Sequence, residues 1–248
     1  MSDNSCLDLA PWPKDDFAAY GEVEIQPISR IQTLVGTFLA RNWVRIPHVF
    51  HQDEADITDL DALRKQLNAA DGDTKLTPLP FVIKALSVVL SEFPQFNASL
   101  DGEGNIIYKK YFHIGAAVDT PKGLLVPVIR QCDSKSIYDI AQELAALSGK
   151  ARSKGLSSAD MAGGCMTVSS LGHIGGTGFT PIINAPQVAI LGLTRAVWKQ
   201  VVKEPGEFEY QFRLPLSLSY DHRVINGADA ARFCVRLAEV LAAPQSLI

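Results

Sequence analysis

The sequence predicts one α/β domain, a two-layer sandwich with a mixed β-sheet. Three observations carry this reading. Strand-like and helix-like segments intermingle along the 248 residues without the strict alternation of a doubly wound fold. No repeat, low-complexity linker or Pro/Gly-rich break divides the chain. The clearest pair of elements is an alternating strand over 210–220 followed by apolar residues at helical spacing, Ala230, Phe233, Cys234, Leu237, Val240 and Leu241.

The elements follow in order. Residues 1–20 carry Pro11, Pro13 and the charged cluster Lys14, Asp15 and Asp16, so they read as an extended arm without a core of its own. Helical periodicity covers 28–43 and ends before Pro47, and 49–57 reads as a strand. Thr58 with Asp61 suggests a capping box for a helix to about Asn68. Pro78 and Pro80 open an apolar helix over 81–92. The turn 101–105, rich in Gly and Asp, joins two short strands. Strands are expected at 113–118 and 124–128, then an amphipathic helix at 136–151 and a capped turn at Ser157 and Asp160. Strands then dominate at 165–169, 187–193, 196–202 and 210–220, and the last helix starts near Gly227.

Composition narrows the function. Hydrophobic content of 47% suits a globular chain with a substantial core. A net charge of -4 without a basic stripe argues against nucleic-acid binding. No apolar run reaches membrane-span length, and the N-terminus lacks a signal-peptide pattern, so no membrane role is expected. Cys6, Cys132, Cys165 and Cys234 are widely spaced, which indicates neither a zinc site nor a disulfide framework and fits a reducing cytoplasm. No metal site is expected.

His222 lies on the short connection between the 210–220 strand and the final helix, where a side chain is rigidly held yet meets ligands. Taken alone, Asn226 is an N-cap, Asp119 forms a turn with Thr120 and Pro121, and Ser169 and Ser170 end a strand before Gly172, Gly175 and Gly176. A serine nucleophile is disfavoured, because no Gly-x-Ser-x-Gly elbow surrounds Ser169. The 172–178 segment lacks the Lys-Ser/Thr ending and strand-to-helix context of a phosphate loop. His173 reads as a loop filler, and His51 and His113 have no distinguishing context.

Asp221-His222-Arg223-Val224-Ile225-Asn226-Gly227 resembles the active-site signature of the dihydrolipoamide acyltransferases, the core components of 2-oxo acid dehydrogenase complexes. Residues 118–130, 167–177 and 182–192 resemble further blocks of that family, in family order, and the similarity runs from about Phe17 to the C-terminus. The wording of 169–176 looks most like the acetyl-transferring members, those of pyruvate dehydrogenase complexes. The resemblance implies the chloramphenicol-acetyltransferase-like form of the sandwich. It implies transfer of an acyl group between dihydrolipoamide and coenzyme A, with His222 as general base and Ser169 as oxyanion donor. Asn226 stands where Asp is commoner and would hold the active-site loop. Asp119 would be a structural carboxylate near the site, paired with an arginine. Thr180, Asn184 and Pro186 sit where the pantetheine arm of CoA would pass, and His48 belongs to an Ile-Pro-His element that is not catalytic.

The resemblance further implies a homotrimer whose active sites form between subunits, and a 24-subunit cubic core with Leu247 and Ile248 as an inter-trimer knob. Its partners would be lipoyl domains and dehydrogenase subunits. The expected division is an arm at 1–20 and a catalytic domain at 21–248, with no lipoyl or peripheral-subunit-binding domain. Two other classes are a free-standing CoA-dependent acyltransferase with another acceptor and an inactive structural core.

Overall fold

Local chemistry accounts for where most helices begin. The computed structural model describes residues 11–70, 74–121 and 123–248, so Cys6 and the first half of the expected arm lie outside it. Residues 11–29 are exposed and carry a single 3-10 turn, Phe17–Ala19. Helix α1 (Arg30–Arg45) begins two residues later than its periodicity suggests, because Ser29 and Gln32 close a capping box that leaves Ile28 outside. Helix α4 (Ile137–Ser153) is boxed by Ser136 and Asp139, and the short α5 (Ser158–Met161) by Ser157 and Asp160. Helix α3 (Pro78–Glu92) puts its prolines in the first turn, where the missing N–H has no intrahelical partner to lose.

Helix α2 (Thr58–Ala70) corrects the reading of Thr58 and Asp61 as a capping box. The Thr58 hydroxyl donates to Asp56 and accepts the Phe212 N–H at 2.8 Å, while Asp61 binds Arg64 and Lys65. The threonine therefore staples the helix to a strand distant in sequence.

The main sheet has seven strands. Its path is β7 (Val128–Ile129), β4 (Ile114–Ala116), β8 (Met166–Ser170), β9 (Ala189–Leu193), β11 (Glu207–Asp221) and β1 (His48–Asp56), with β10 (Val197–Glu204) paired to the first half of β11. The β4/β8 and β8/β9 pairs are parallel and the others antiparallel, so the sheet is mixed. The segments expected as two strands at 113–118 and 124–128 split further: β5 (Val118–Thr120) and β6 (Gly123–Leu125) form their own hairpin, as do β2 (Ala98–Leu100) and β3 (Ile106–Tyr108).

Helix α6 (Gly227–Ala242) lies against β1, and α3 packs on α4 and α6. The helical stripe Ala230, Phe233, Cys234, Leu237, Val240 and Leu241 is buried throughout. Phe96 stacks on Phe233 at 4.1 Å between centroids, with Phe93 edge-on. Full burial of a side chain of this size is worth about 2–3 kcal/mol. Of the expected C-terminal knob, Leu247 is buried in the protein's own core and only Ile248 is exposed. Among the described residues no helix is long and apolar enough to cross a membrane.

Candidate active site

The histidine turn is built from the end of β11. The Asp221 N–H donates to Val188 O at 2.8 Å, and Val224 and Ile225 N–H both return to Asp221 O. Ile225 anchors the turn in the core. Asn226 then caps α6: its Oδ1 accepts from Asp229 N–H at 2.9 Å and its Nδ2 donates to the Asp229 carboxylate. It makes no hydrogen bond to His222. His222 is exposed, and its N–H donates to Pro47 O at 3.2 Å.

The residues flanking His222 bond to each other across it. Asp221 is 2% exposed, and its carboxylate accepts from Arg223 Nε at 2.9 and 3.2 Å, from Nη2 at 2.6 Å and from the Arg223 backbone N–H at 3.0 Å. A carboxylate out of water needs this saturation. Bonding to the carboxylate also pushes the Arg223 guanidinium pKa further up. Sequence reasoning missed this clamp, although its signal was visible as opposite charges one residue either side of the histidine.

Ser169 sits at the C-terminal end of β8. Alternation puts it on the sheet face with Thr167, opposite Met166 and Val168, which join the helix-covered core. Its neighbours across the sheet are Gly192 on β9 and Ser217 on β11. Gly192 leaves room there for Phe179, since a Cβ would lie 2.7 Å from its ring and the ring would have to move. The following glycine turn is braced by Arg195, whose guanidinium donates to the carbonyls of Gly172, His173 and Ile174 at 3.3–3.5 Å. A cleft of about 960 Å³ opens beside it, lined by Asp119, Ser169, Ser170, His173 and Arg195 among others.

Asp119 lines the same cleft as Ser169, but it is exposed and forms no ion pair with an arginine of the same chain; the arginine-paired carboxylate beside the histidine is Asp221. Thr180, Asn184 and Pro186 are exposed on the 178–187 loop, which starts at the Ser217 row and ends beside Asp221.

One chain does not bring Ser169 and His222 together. In register, Ser169 aligns through Gly192 with Ser217, two strands away, and His222 lies five residues further along β11. Strand spacing and rise then separate them by on the order of 20 Å. They project from opposite ends of the sheet.

The family model for the 2-oxoacid dehydrogenases acyltransferase (catalytic domain) matches residues 20–248. The chain belongs to this family. The acetyltransferase components of the pyruvate dehydrogenase complexes of Cupriavidus necator and Pseudomonas aeruginosa are each 52% identical to it, over 95% and 97% of the chain. The chain spans 43% and 44% of those relatives' lengths. The dihydrolipoamide acetyltransferase of Azotobacter vinelandii superposes with a TM-score of 0.93 at 51% identity, covering 96% of this chain and 99% of that one. A cubic core of the pyruvate dehydrogenase multienzyme complex also superposes at 0.93, with 52% identity and the same coverage. A chloramphenicol acetyltransferase at 14% identity and TM-score 0.54, covering 88% of this chain and all of its own, shares the fold. The Azotobacter enzyme was studied for the catalytic role of a serine, a histidine and an asparagine; its histidine and asparagine are four positions apart, as His222 and Asn226 are. Its serine precedes its histidine by 52 positions, the spacing of Ser170 in this chain, with Ser169 one residue further away. The β10–β11 hairpin, whose register shifts between Val202 and Glu204, can absorb a one-residue difference.

Proposed function

We propose that residues 21–248 form an acetyltransferase domain that moves an acetyl group between dihydrolipoamide and coenzyme A. His222 takes the proton of the CoA thiol, and the resulting thiolate attacks the carbonyl of the acetyl-dihydrolipoyl thioester. The Ser169 hydroxyl donates to the oxyanion of the tetrahedral intermediate. Collapse breaks the bond to the dihydrolipoyl sulfur, which leaves with the proton from the imidazolium. Asn226 fixes the end of the histidine turn and the start of α6. Thr180, Asn184 and Pro186 border the path of the pantetheine arm, and Asp119 shapes the cleft beside Ser169.

The observation that carries this reading is the placement of His222 and Ser169 at opposite ends of one sheet. A site needing both is completed by His222 of one chain and Ser169 of a second. Exposed apolar side chains on α1, such as Phe38 at 45% and Trp43 at 55%, support burial against another copy. A homotrimer satisfies this, and trimers assemble into a 24-subunit cubic core to which lipoyl domains and dehydrogenase subunits come. Residues 11–20, exposed throughout, are the described part of its arm, and the assembly is cytoplasmic.

The test is acetyl transfer from acetyl-CoA to dihydrolipoamide near neutral pH. His222→Ala and Ser169→Ala should each lose about a hundredfold or more in kcat, the scale of a general base or an oxyanion donor. Ser170→Ala should stay near wild type. Undiminished activity in His222→Ala refutes the mechanism, and a loss confined to Ser170→Ala moves the oxyanion role to that residue.

A further inference from the structure

Ile183 lies in the irregular 178–187 loop and is fully buried at 0% exposure. A buried backbone N–H and C=O both require partners. The carbonyl accepts the Ala185 N–H within the loop at 3.2 Å, and each group also has a side-chain partner from elsewhere in the chain. The Ile183 N–H donates to His48 Nε2 at 3.0 Å, and the Ile183 carbonyl accepts from Asn42 Nδ2 at 3.0 Å. Because Nε2 is the acceptor, Nδ1 carries the proton, and it donates to Ile46 O at 2.9 Å. The Asn42 Oδ1 is held in turn by Arg41, at 3.1 Å from Nε and 2.8 Å from Nη2. Trp43 stacks on the His48 ring at 5.4 Å, and Ile46, Ile183 and Ile190 form a small apolar cluster beneath.

The same junction holds the histidine turn. Pro47, between Ile46 and His48, accepts the His222 N–H, and His48 pairs with Asp221 across β1 and β11. The loop returns to this point, since Val188 O accepts from Asp221 N–H. We propose that Asn42 and His48 clamp Ile183 so as to fix the 178–187 loop against the His222 turn, which makes His48 a positioning residue for the acyl transfer. This rests on the function proposed above. His48 touches no reacting atom; it acts through the loop and the Pro47 carbonyl.

The experiment compares His48→Gln, His48→Leu and Asn42→Leu in the assembled protein, reading kcat and KM for acetyl-CoA with dihydrolipoamide and amide hydrogen exchange over residues 182–184. Glutamine carries an acceptor oxygen at about the reach of Nε2; leucine carries none. His48→Leu and Asn42→Leu should lose about tenfold or more in kcat, as expected for a slight misplacement of reacting groups, and expose the loop amides to faster exchange. His48→Gln should stay within about threefold of wild type in both constants. Wild-type kcat in His48→Leu, or no rescue by glutamine, overturns the proposal. Should the wild type transfer no acetyl group, the acyl-transfer reading is what fails, and unchanged exchange in His48→Leu then overturns the clamp itself.

Discussion

The turns bearing His222 and Ser169 are both strand ends, yet they are held in different ways. The His222 turn is self-contained: a buried carboxylate saturated by Arg223, two N–H groups returning to Asp221 O, and a capped helix directly behind. The Ser169 turn depends on what surrounds it. Its glycines carry no side chains to pack, its neighbour Gly192 makes room for Phe179, and its brace is an exposed arginine at long hydrogen-bond distances. Rigidity that comes from a few short charged bonds fails sharply when one is removed. Rigidity that comes from fit fails when a neighbour is enlarged.

Three substitutions sharpen this contrast. The largest effect on stability should come from Gly192→Val, whose Cβ would meet the Phe179 ring at 2.7 Å and Ser217 Cβ at 3.2 Å. Overpacking of this kind costs about 2–3 kcal/mol, which urea unfolding would read as a lower midpoint with unchanged slope. Asp221→Asn should cost less, about 1–2 kcal/mol, because Arg223 at 47% exposure can rehydrate when its partner is weakened. Its kcat should nevertheless fall by about tenfold or more, since the peptide bearing the proposed base loses its clamp. A kcat equal to wild type would mean the clamp serves stability alone. Arg195→Gln should be the mildest, within about 0.5 kcal/mol as for an exposed substitution. If it proved as costly as Gly192→Val, the Ser169 turn would resemble the histidine turn after all.

Features set by neighbours in sequence were legible. The box at Ser157, the Asn226 cap and the buried stripe of α6 depend on residues a few positions apart. Thr58 misled because its hydroxyl is claimed by Phe212, from a strand more than a hundred residues on. The arginine expected for Asp119 is not found within one chain, where the buried arginine-paired carboxylate beside the histidine is Asp221. His48 had no readable role, since its partner Ile183 reaches it only after the loop has crossed the open face of the sheet. The separation of Ser169 from His222 is not readable from spacing along the chain, but the family resemblance, with its active sites between subunits, implies it. It follows from the insertion of β9, parallel to β8 and antiparallel to β11, between the two.

That strand order has a consequence for mixtures. A chain lacking His222 still offers an intact serine end, and a chain lacking Ser169 still offers an intact histidine end. On the proposed mechanism, neither homogeneous mutant can assemble a complete site, but co-assembled chains can. In trimers formed randomly from equal parts of His222→Ala and Ser169→Ala, about a quarter of the interfaces join one whole end to the other under cyclic symmetry. Two inactive proteins, unfolded together and refolded, should therefore yield an active one.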